Sequence, residues 1–314
     1  MTLSRRVFVA GLAGSSGLLA FPAIAGTGEW VRHSYREVHM GMIARVTLYA
    51  RHEAQAKEAA RDAFSAIADV DRALSHFNRR SEAMTVTGTL GTRLVSPVLR
   101  DNLLLADEMH RISAGRFDAS VGPLTHLWRE ARRTGVLPNE DALAAASKSV
   151  QWRGALSVEG DRVSVNREGL ILDFGGSGKG YAVDRAAAAL AEQGITAAMI
   201  ELGGDIRLMG PPPGSNGWTT AIQVEGKRRV MELADCAVST SGPIFQSRTW
   251  ENSRHSHVID SSSGKALTNH RQLSVIGPNG SECDAAATII AMMEPGEGSD
   301  FIRRNFKGVR VHEA

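Results

Sequence analysis

Strand-like segments outnumber helical ones in this chain and do not alternate with them, and that order limits the fold more than any other feature. Short strand candidates fall at 42–49 (MIARVTLY), 197–202 (AAMIEL), 219–224 (TTAIQV), 236–241 (CAVSTS), 256–260 (SHVID) and 272–277 (QLSVIG). LSVEGDRVSVN (156–166) is a hairpin turning at Glu159-Gly160-Asp161. Helical periodicity appears from Glu53 to Phe77, where Ala60, Phe64, Ile67, Leu74 and Phe77 are spaced by threes, fours or their sums. Further helices are predicted at 96–113, ended by Gly115, at 184–193 with Gly194 as the residue after the C-cap, and at 283–293. A parallel α/β sheet needs one crossover helix per strand, which this order does not supply. The prediction is an α+β fold with a mixed or antiparallel sheet and flanking helices. Breaks at 134–139 and 211–217 are too short to link domains, and no internal repeat is present, so 26–314 is expected to be one domain.

The first 25 residues read as a targeting segment. Arg5-Arg6 precede an apolar stretch from Val7 to Phe21 and the small-residue site Ala23-Ile24-Ala25. The Arg pair in SRRVFV is a twin-arginine export signal by pattern, so a partner in the twin-arginine export machinery is expected. No cysteine follows the apolar stretch to carry a lipid, and the expected location is periplasmic and soluble. The whole chain has 36 Lys+Arg and 34 Asp+Glu; removing residues 1–25 leaves 34 of each sign. No basic excess is left to suggest a nucleic-acid partner. Cys236 and Cys283 can pair in an oxidising compartment or remain two buried thiols.

LILDFGGSGKGYAVDRAAAALAEQG (170–194) places a Gly-rich loop with a lysine between an apolar run and an Ala-rich helix. It is not a P-loop: Asp173 stands where the first Gly is needed, and Gly180 replaces the hydroxyl after Lys179. It is not a dinucleotide fingerprint either, because Tyr181 occupies the third Gly position after Gly176-Ser177-Gly178. What remains is physical: small residues let backbone N–H groups approach an anion, and a helix start adds a favourable dipole. A tight strand-to-helix turn without a ligand satisfies the same pattern.

Three other clusters carry chemistry-bearing side chains. FDASVGPL contains Asp118; HSHVID sets His255 and His257 on one strand face with Asp260 at its end; CDAAAT sets Asp284 and Thr288 one helical turn apart. A zinc pair at the two histidines lacks a third ligand at suitable spacing. Asp284 and Thr288 are a helix cap, a solvated face, or hard oxygen ligands suited to magnesium.

In order along the chain, HMGM (39–42), GRFDASVGPLTHLW (115–128), LDFGGSGKGYAVD (172–184), ELGGDIRLMG (201–210), STSG (239–242), HSHVIDSSSG (255–264) and CDAAAT (283–288) resemble the successive motifs of the ApbE family, the FAD:protein FMN transferases. The resemblance implies one α+β domain that takes FAD as substrate with Mg2+. It implies transfer of the FMN half to a Ser or Thr hydroxyl of an exported acceptor protein, with release of AMP. Carried over motif by motif, the metal ligands are the Gly176 carbonyl, Asp284 and Thr288. The flavin nucleotide contacts Met40, Phe77, Arg116, Phe117, Asp118, Asp173, Lys179 and Ile259. His257 is the expected general base, with Asp260 orienting it or helping to set the metal site.

The chain departs from the family pattern at five places. Met42 replaces the Thr of MGT, and Phe77 replaces a Tyr. Glu201 stands for an Asn, which puts a negative charge near the expected phosphate. Ser261 stands for a Pro, and Pro243 for an acidic residue. Two other functions share these residues: an FAD pyrophosphatase with water as nucleophile, and a flavin-binding or assembly protein without transfer.

Overall fold

The computed structural model describes residues 30–224, 227–242, 247–250, 253–268 and 271–313. The expected signal segment 1–25 and Pro243 lie outside the described residues. The chain begins with two long strands, β1 (Val31–His39) and β2 (Met42–Ala50), and the helix α1 (Glu53–Leu74). There follow α2 (Glu82–Thr87), β3 (Gly91–Leu94), α3 (Pro97–Ile112), α4 (Gly122–Thr134) and α5 (Glu140–Ser147). The hairpin β4 (Leu156–Glu159) and β5 (Arg162–Val165) leads to α6 (Gly178–Glu192), β6 (Ala198–Leu202) and β7 (Asp205–Met209). Next come β8 (Trp218–Val224), β9 (Lys227–Leu233), β10 (Ala237–Ser241), β11 (Ser247–Trp250) and β12 (Ser253–Ser256). The chain closes with β13 (Leu273–Gly277), α7 (Gly280–Ala291), α8 (Glu297–Asn305) and β14 (Arg310–Glu313).

Seven strands form the main sheet in the order β1-β2-β6-β7-β10-β13-β14, with every neighbouring pair antiparallel. The α+β expectation holds, and the sheet is antiparallel rather than mixed. Period-two alternation puts Ala44, Val46, Leu48 and Ala50 of β2 on one buried face. Against that face lies α1, whose Ala56, Ala59, Ala60, Ala63, Phe64, Ile67, Val70 and Leu74 make the stripe its periodicity implied. Burying Ile67 completely contributes about 1.5–3 kcal/mol, so a charge there would break the layer. On the opposite face the β8–β9 hairpin covers the sheet, with Trp218 over Ala197 and Leu208 and Ile222 over Val238 and Ile276.

Two boundaries differ from expectation in ways that matter. α1 stops at Leu74, Ser75 turns extended, and Phe77 falls beyond the helix, 75% exposed. α6 starts at Gly178, six residues before the Ala-rich run, so Lys179 and Gly180 belong to its first turn. Glycine has no side chain with which to announce a helix, so periodicity alone misses that start.

Packing of α6 on α7 is backbone to backbone. A Cβ on Gly180 would meet the Gly280 carbonyl oxygen at 2.1 Å, and one on Gly280 would meet that of Gly180 at 2.6 Å. Asp184 of α6 accepts from Gly280 N (2.7 Å) and Ser281 N (2.9 Å), and the Asn279 side chain accepts from Glu282 N (2.9 Å). These acceptors satisfy the first N–H groups of α7, which no turn of its own can do. The start of α7 is thereby held against the start of α6.

Candidate functional site

A cavity of about 600 Å3 opens where the β1–β2 turn, the end of α1, the 116–121 loop, α4, the Gly-rich loop and the 257–261 segment meet. Of the expected site residues, Met40, Phe77, Arg116, Phe117, Asp118, Asp173, Gly176, Lys179, His257, Ile259 and Thr288 line it. Residues separated by up to 248 positions therefore share one cavity. Met40 stands at φ 50° and Gly41 at φ 73°, a tight turn that puts Met40 and Met42 at the cavity. Phe77 covers the mouth, with the Arg129 guanidinium 4.3 Å from its ring centroid and the His76 ring 4.1 Å away.

Asp173 organises the middle of the wall. Its side chain is 5% exposed and takes Arg129 Nη2 at 2.7 Å, His76 Nδ1 at 3.1 Å and Gly175 N at 2.8 Å. Burial opposes its charge, but the His76 hydrogen bond and the charges of His76 and Arg129 outweigh burial. The carboxyl is held well below the usual range. Asp173 thus shapes the loop through its partners, and His76 and Arg129 are site residues the sequence reading missed. Arg129 lies on α4, a helix that was not predicted; its only signal was a cation near the GRFDASVGPLTHLW motif.

At the floor, Lys179 Nζ bridges two carboxylates, Asp205 Oδ2 at 2.9 Å and Asp284 Oδ2 at 3.1 Å. Burial disfavours the ammonium, yet the two carboxylates hold it charged, above the ordinary lysine range. Asp205 is pushed up by burial and by the neighbouring Asp284 charge, with Lys179 opposing. Asp205 sits in the ELGGDIRLMG motif, but its pairing with Lys179 was not foreseen. Asp284 also accepts from Gly180 N at 3.0 Å. The first turn of α6, expected to receive a ligand anion, therefore gives one N–H to a carboxylate of its own chain. Asp284 does not line the cavity directly; it lies behind Lys179.

Beside this group, Thr288 Oγ1 donates to the Gly176 carbonyl at 3.3 Å. Among the described residues no three His, Cys, Asp or Glu side chains converge as a metal cluster. The donors here are one carboxylate, one hydroxyl and one carbonyl. Two buried carboxylates facing one ammonium leave a net negative charge, and the Ser177 hydroxyl next to Gly176 is buried with no hydrogen-bond partner. A hard divalent cation fits such a set.

Two of the positions singled out in the sequence lie away from the cavity lining. Asp260 does not line the cavity: Oδ1 accepts from Ser262 N (2.9 Å) and Oγ (2.7 Å), and Oδ2 from Ser263 Oγ (2.9 Å). It closes its own turn, because Asp readily bonds the backbone two residues on. Glu201 does not approach the Gly-rich loop; on β6 it pairs with Arg45 of β2 at 3.4 Å, on the sheet face away from α1. Ser261 lines the cavity and donates to the carbonyls of Gly115 and Arg116, both at 3.2 Å. The strand expected at 256–260 ends at Ser256, and Ile259 continues only as a bridge to Ala266. Cys236 and Cys283 are free thiols.

The fold and cavity define an α+β ligand-binding domain that joins an aromatic mouth to an oxygen-rich, lysine-bearing floor. Comparison with known proteins places it further: the ApbE family pattern matches residues 40–312, and the chain belongs to that family. It is 29% identical over 233 residues to the FAD:protein FMN transferase of Vibrio cholerae, covering 71% of this chain and 67% of the relative. It is 28% identical over 288 residues to the FAD:protein FMN transferase of Klebsiella pneumoniae, covering 87% and 81%. Among solved structures, a histidine-to-glycine variant of the flavin transferase ApbE from Vibrio cholerae superposes with a TM-score of 0.80 at 26% identity, over 91% of this chain and 94% of that one.

Proposed function

We propose that this protein is an FAD:protein FMN transferase, exported to the periplasm, that moves the FMN moiety of FAD to a Ser or Thr hydroxyl of an exported acceptor protein and releases AMP. The observation that carries the reading is the cavity itself. It brings an exposed ring at Phe77 and a glycine loop with Lys179 and Thr288 into the lining of one cavity. A flavin dinucleotide has the same two features, flat rings and a central pyrophosphate.

In this reading Asp284, Thr288 and the Gly176 carbonyl would hold Mg2+. When bound, it would supply positive charge to offset that of the pyrophosphate. The remaining work falls to side chains. Phe77 and Met40 bind the flat rings and exclude water from them. Lys179 lines the cavity and sets a positive charge beside the pyrophosphate, while Asp205 and Asp284, which its ammonium bridges, keep it protonated. His257 takes the proton of the acceptor hydroxyl as its oxygen bonds the FMN phosphorus and the bond to AMP breaks. Arg129 and His76 hold Asp173 ionised, which fixes the Gly175 N–H and with it the loop.

The test is incubation of the protein with FAD, Mg2+ and candidate exported acceptors. AMP release is measured against flavin fluorescence that stays with the acceptor in a denaturing gel. Equal yields of AMP and bound flavin are expected. AMP formed at the same rate without acceptor, with all flavin free, assigns a pyrophosphatase instead; FAD binding with no AMP assigns a binding protein.

A further inference from the structure

The 257–261 segment that lines the cavity is fixed to α4 by a cluster of three rings. His255 lies on β12, one residue before its last, Ser256. Its ring lies 5.4 Å from that of Trp128, nearly parallel at 27°, and 5.4 Å from that of Trp250, edge-on at 80°. The two tryptophans meet edge to face at 6.4 Å. Both indoles are also anchored through their N–H groups. Trp128 Nε1 donates to the Gly264 carbonyl at 2.9 Å, and Trp250 Nε1 to the Gly135 carbonyl at 2.9 Å. Gly264 closes the turn that follows Ile259, and Gly135 ends α4. The two bonds therefore cross in opposite directions between α4 and the 247–267 region. Beneath the rings, Leu124 and Trp128 pack on Ile259 and Ala266 in a small core separate from the main one.

These contacts join two walls of one cavity. α4 presents Thr125, Arg129 and Arg132 to it, and the other segment presents His257, Val258, Ile259 and Ser261. His255 does not line the cavity, and its ring Nδ1 is buried without a hydrogen-bond partner. Its contacts are those of an aromatic spacer between two indoles. Trp128 sits one residue before Arg129, the partner of Asp173, so the same cluster borders the loop anchor.

We infer that His255, through Trp128 and Trp250, is a positioning residue that holds the His257 segment at a fixed distance from α4. The inference rests on the flavin-transfer reading for its effect on rate, though not for its effect on structure. A misplacement of about 1 Å at a reacting group can cost ~10²-fold in rate. His255→Ala removes the spacer and is expected to lower FMN transfer by ~10–100-fold with little change in FAD affinity. His255→Phe keeps a flat ring and is expected to restore most of the rate.

The experiment compares wild type, His255→Ala, His255→Phe and Trp250→Leu in transfer rate, in FAD affinity by flavin fluorescence, and in amide hydrogen exchange of residues 256–267. Faster exchange in His255→Ala and Trp250→Leu, with wild-type exchange in His255→Phe, is expected. If His255→Ala does not fold, Trp250→Leu carries the same comparison. Transfer at the wild-type rate with unchanged exchange overturns the inference, as does a Phe variant as slow as the Ala one, which would mean the imidazole nitrogens are needed. If wild type itself transfers no FMN, the functional reading fails, and hydrogen exchange alone decides the tie.

Discussion

At the scale of single residues, the site is a set of charges placed where burial makes each depend on its partner. Asp173 is the clearest case. Its folded-state pKa lies below the unfolded value of about 3.9. Its stabilisation is thus fully present above that pH and is lost as pH falls through the folded-state value. Asp173→Asn leaves Arg129 without its anion and should cost about 3–5 kcal/mol, toward the lower end because Arg129 keeps 26% of its side chain in solvent. Urea unfolding at pH 7 and pH 3 checks this: the variant should lose less stability between the two than wild type, and parallel losses would count against it. His257→Ala should lower transfer by ~10²–10⁴, the scale of a lost general base, while FAD still binds. Near-normal transfer at neutral pH removes His257 from that role, and Asp260, bonded into its own turn, does not replace it. For the metal, Asp284→Asn keeps an oxygen but loses the charge, whereas Thr288→Val loses one neutral ligand. Magnesium titration of transfer should find the first severely weakened and the second mildly. An unchanged half-saturating concentration in both would falsify the assignment.

At the scale of elements, the close approach of α6 and α7 does most to build the floor. The Gly180–Gly280 contact lets Asp284 reach the Gly180 N–H and Lys179 together. Gly180→Ala would drive a methyl into a carbonyl and the Asp284 Cβ, so the helices must separate. Overpacking of this kind costs about 1–3 kcal/mol, and here backbone must move, which puts the variant at the upper end. Thermal unfolding should register that loss, and Gly194→Ala, strained at φ 74° but with open space around it, should lose less. The elements themselves were legible to different degrees. α1 and α3 carry long apolar stripes and were visible. α4 was not, because its buried face is only Gly122, Leu124, Trp128 and Ala131, too few apolar positions to show a helical period. The start of α6 was hidden because glycines have no periodicity to read.

At the scale of the whole molecule, a seven-stranded antiparallel sheet carries helices on one face and the β8–β9 hairpin on the other, with a small three-stranded sheet β3-β5-β4 and the β11–β12 pair beside it, and the cavity opens at the β1–β2 turn. Among the described residues no helix is long and apolar enough to cross a membrane. The export proposed above rests on Arg5-Arg6 and Ala23-Ile24-Ala25. Replacing both arginines by lysine should leave the precursor in the cytoplasm, and fractionation checks it; undiminished periplasmic protein would overturn the twin-arginine assignment. By itself the sequence determined the α+β class, because strand order without crossover helices excludes a parallel sheet. It also determined the family and eleven of the cavity's lining positions, because motif residues are local and survive as strings. Only the tertiary structure decided what those residues touch. It turned Asp260 into its own turn, carried Glu201 to a pair with Arg45, set His76 and Arg129 on Asp173, and gave Lys179 two carboxylates. Each of those partners is distant in sequence or set by a backbone turn, and a charge has no preferred partner until packing and burial fix its distance and remove the water between.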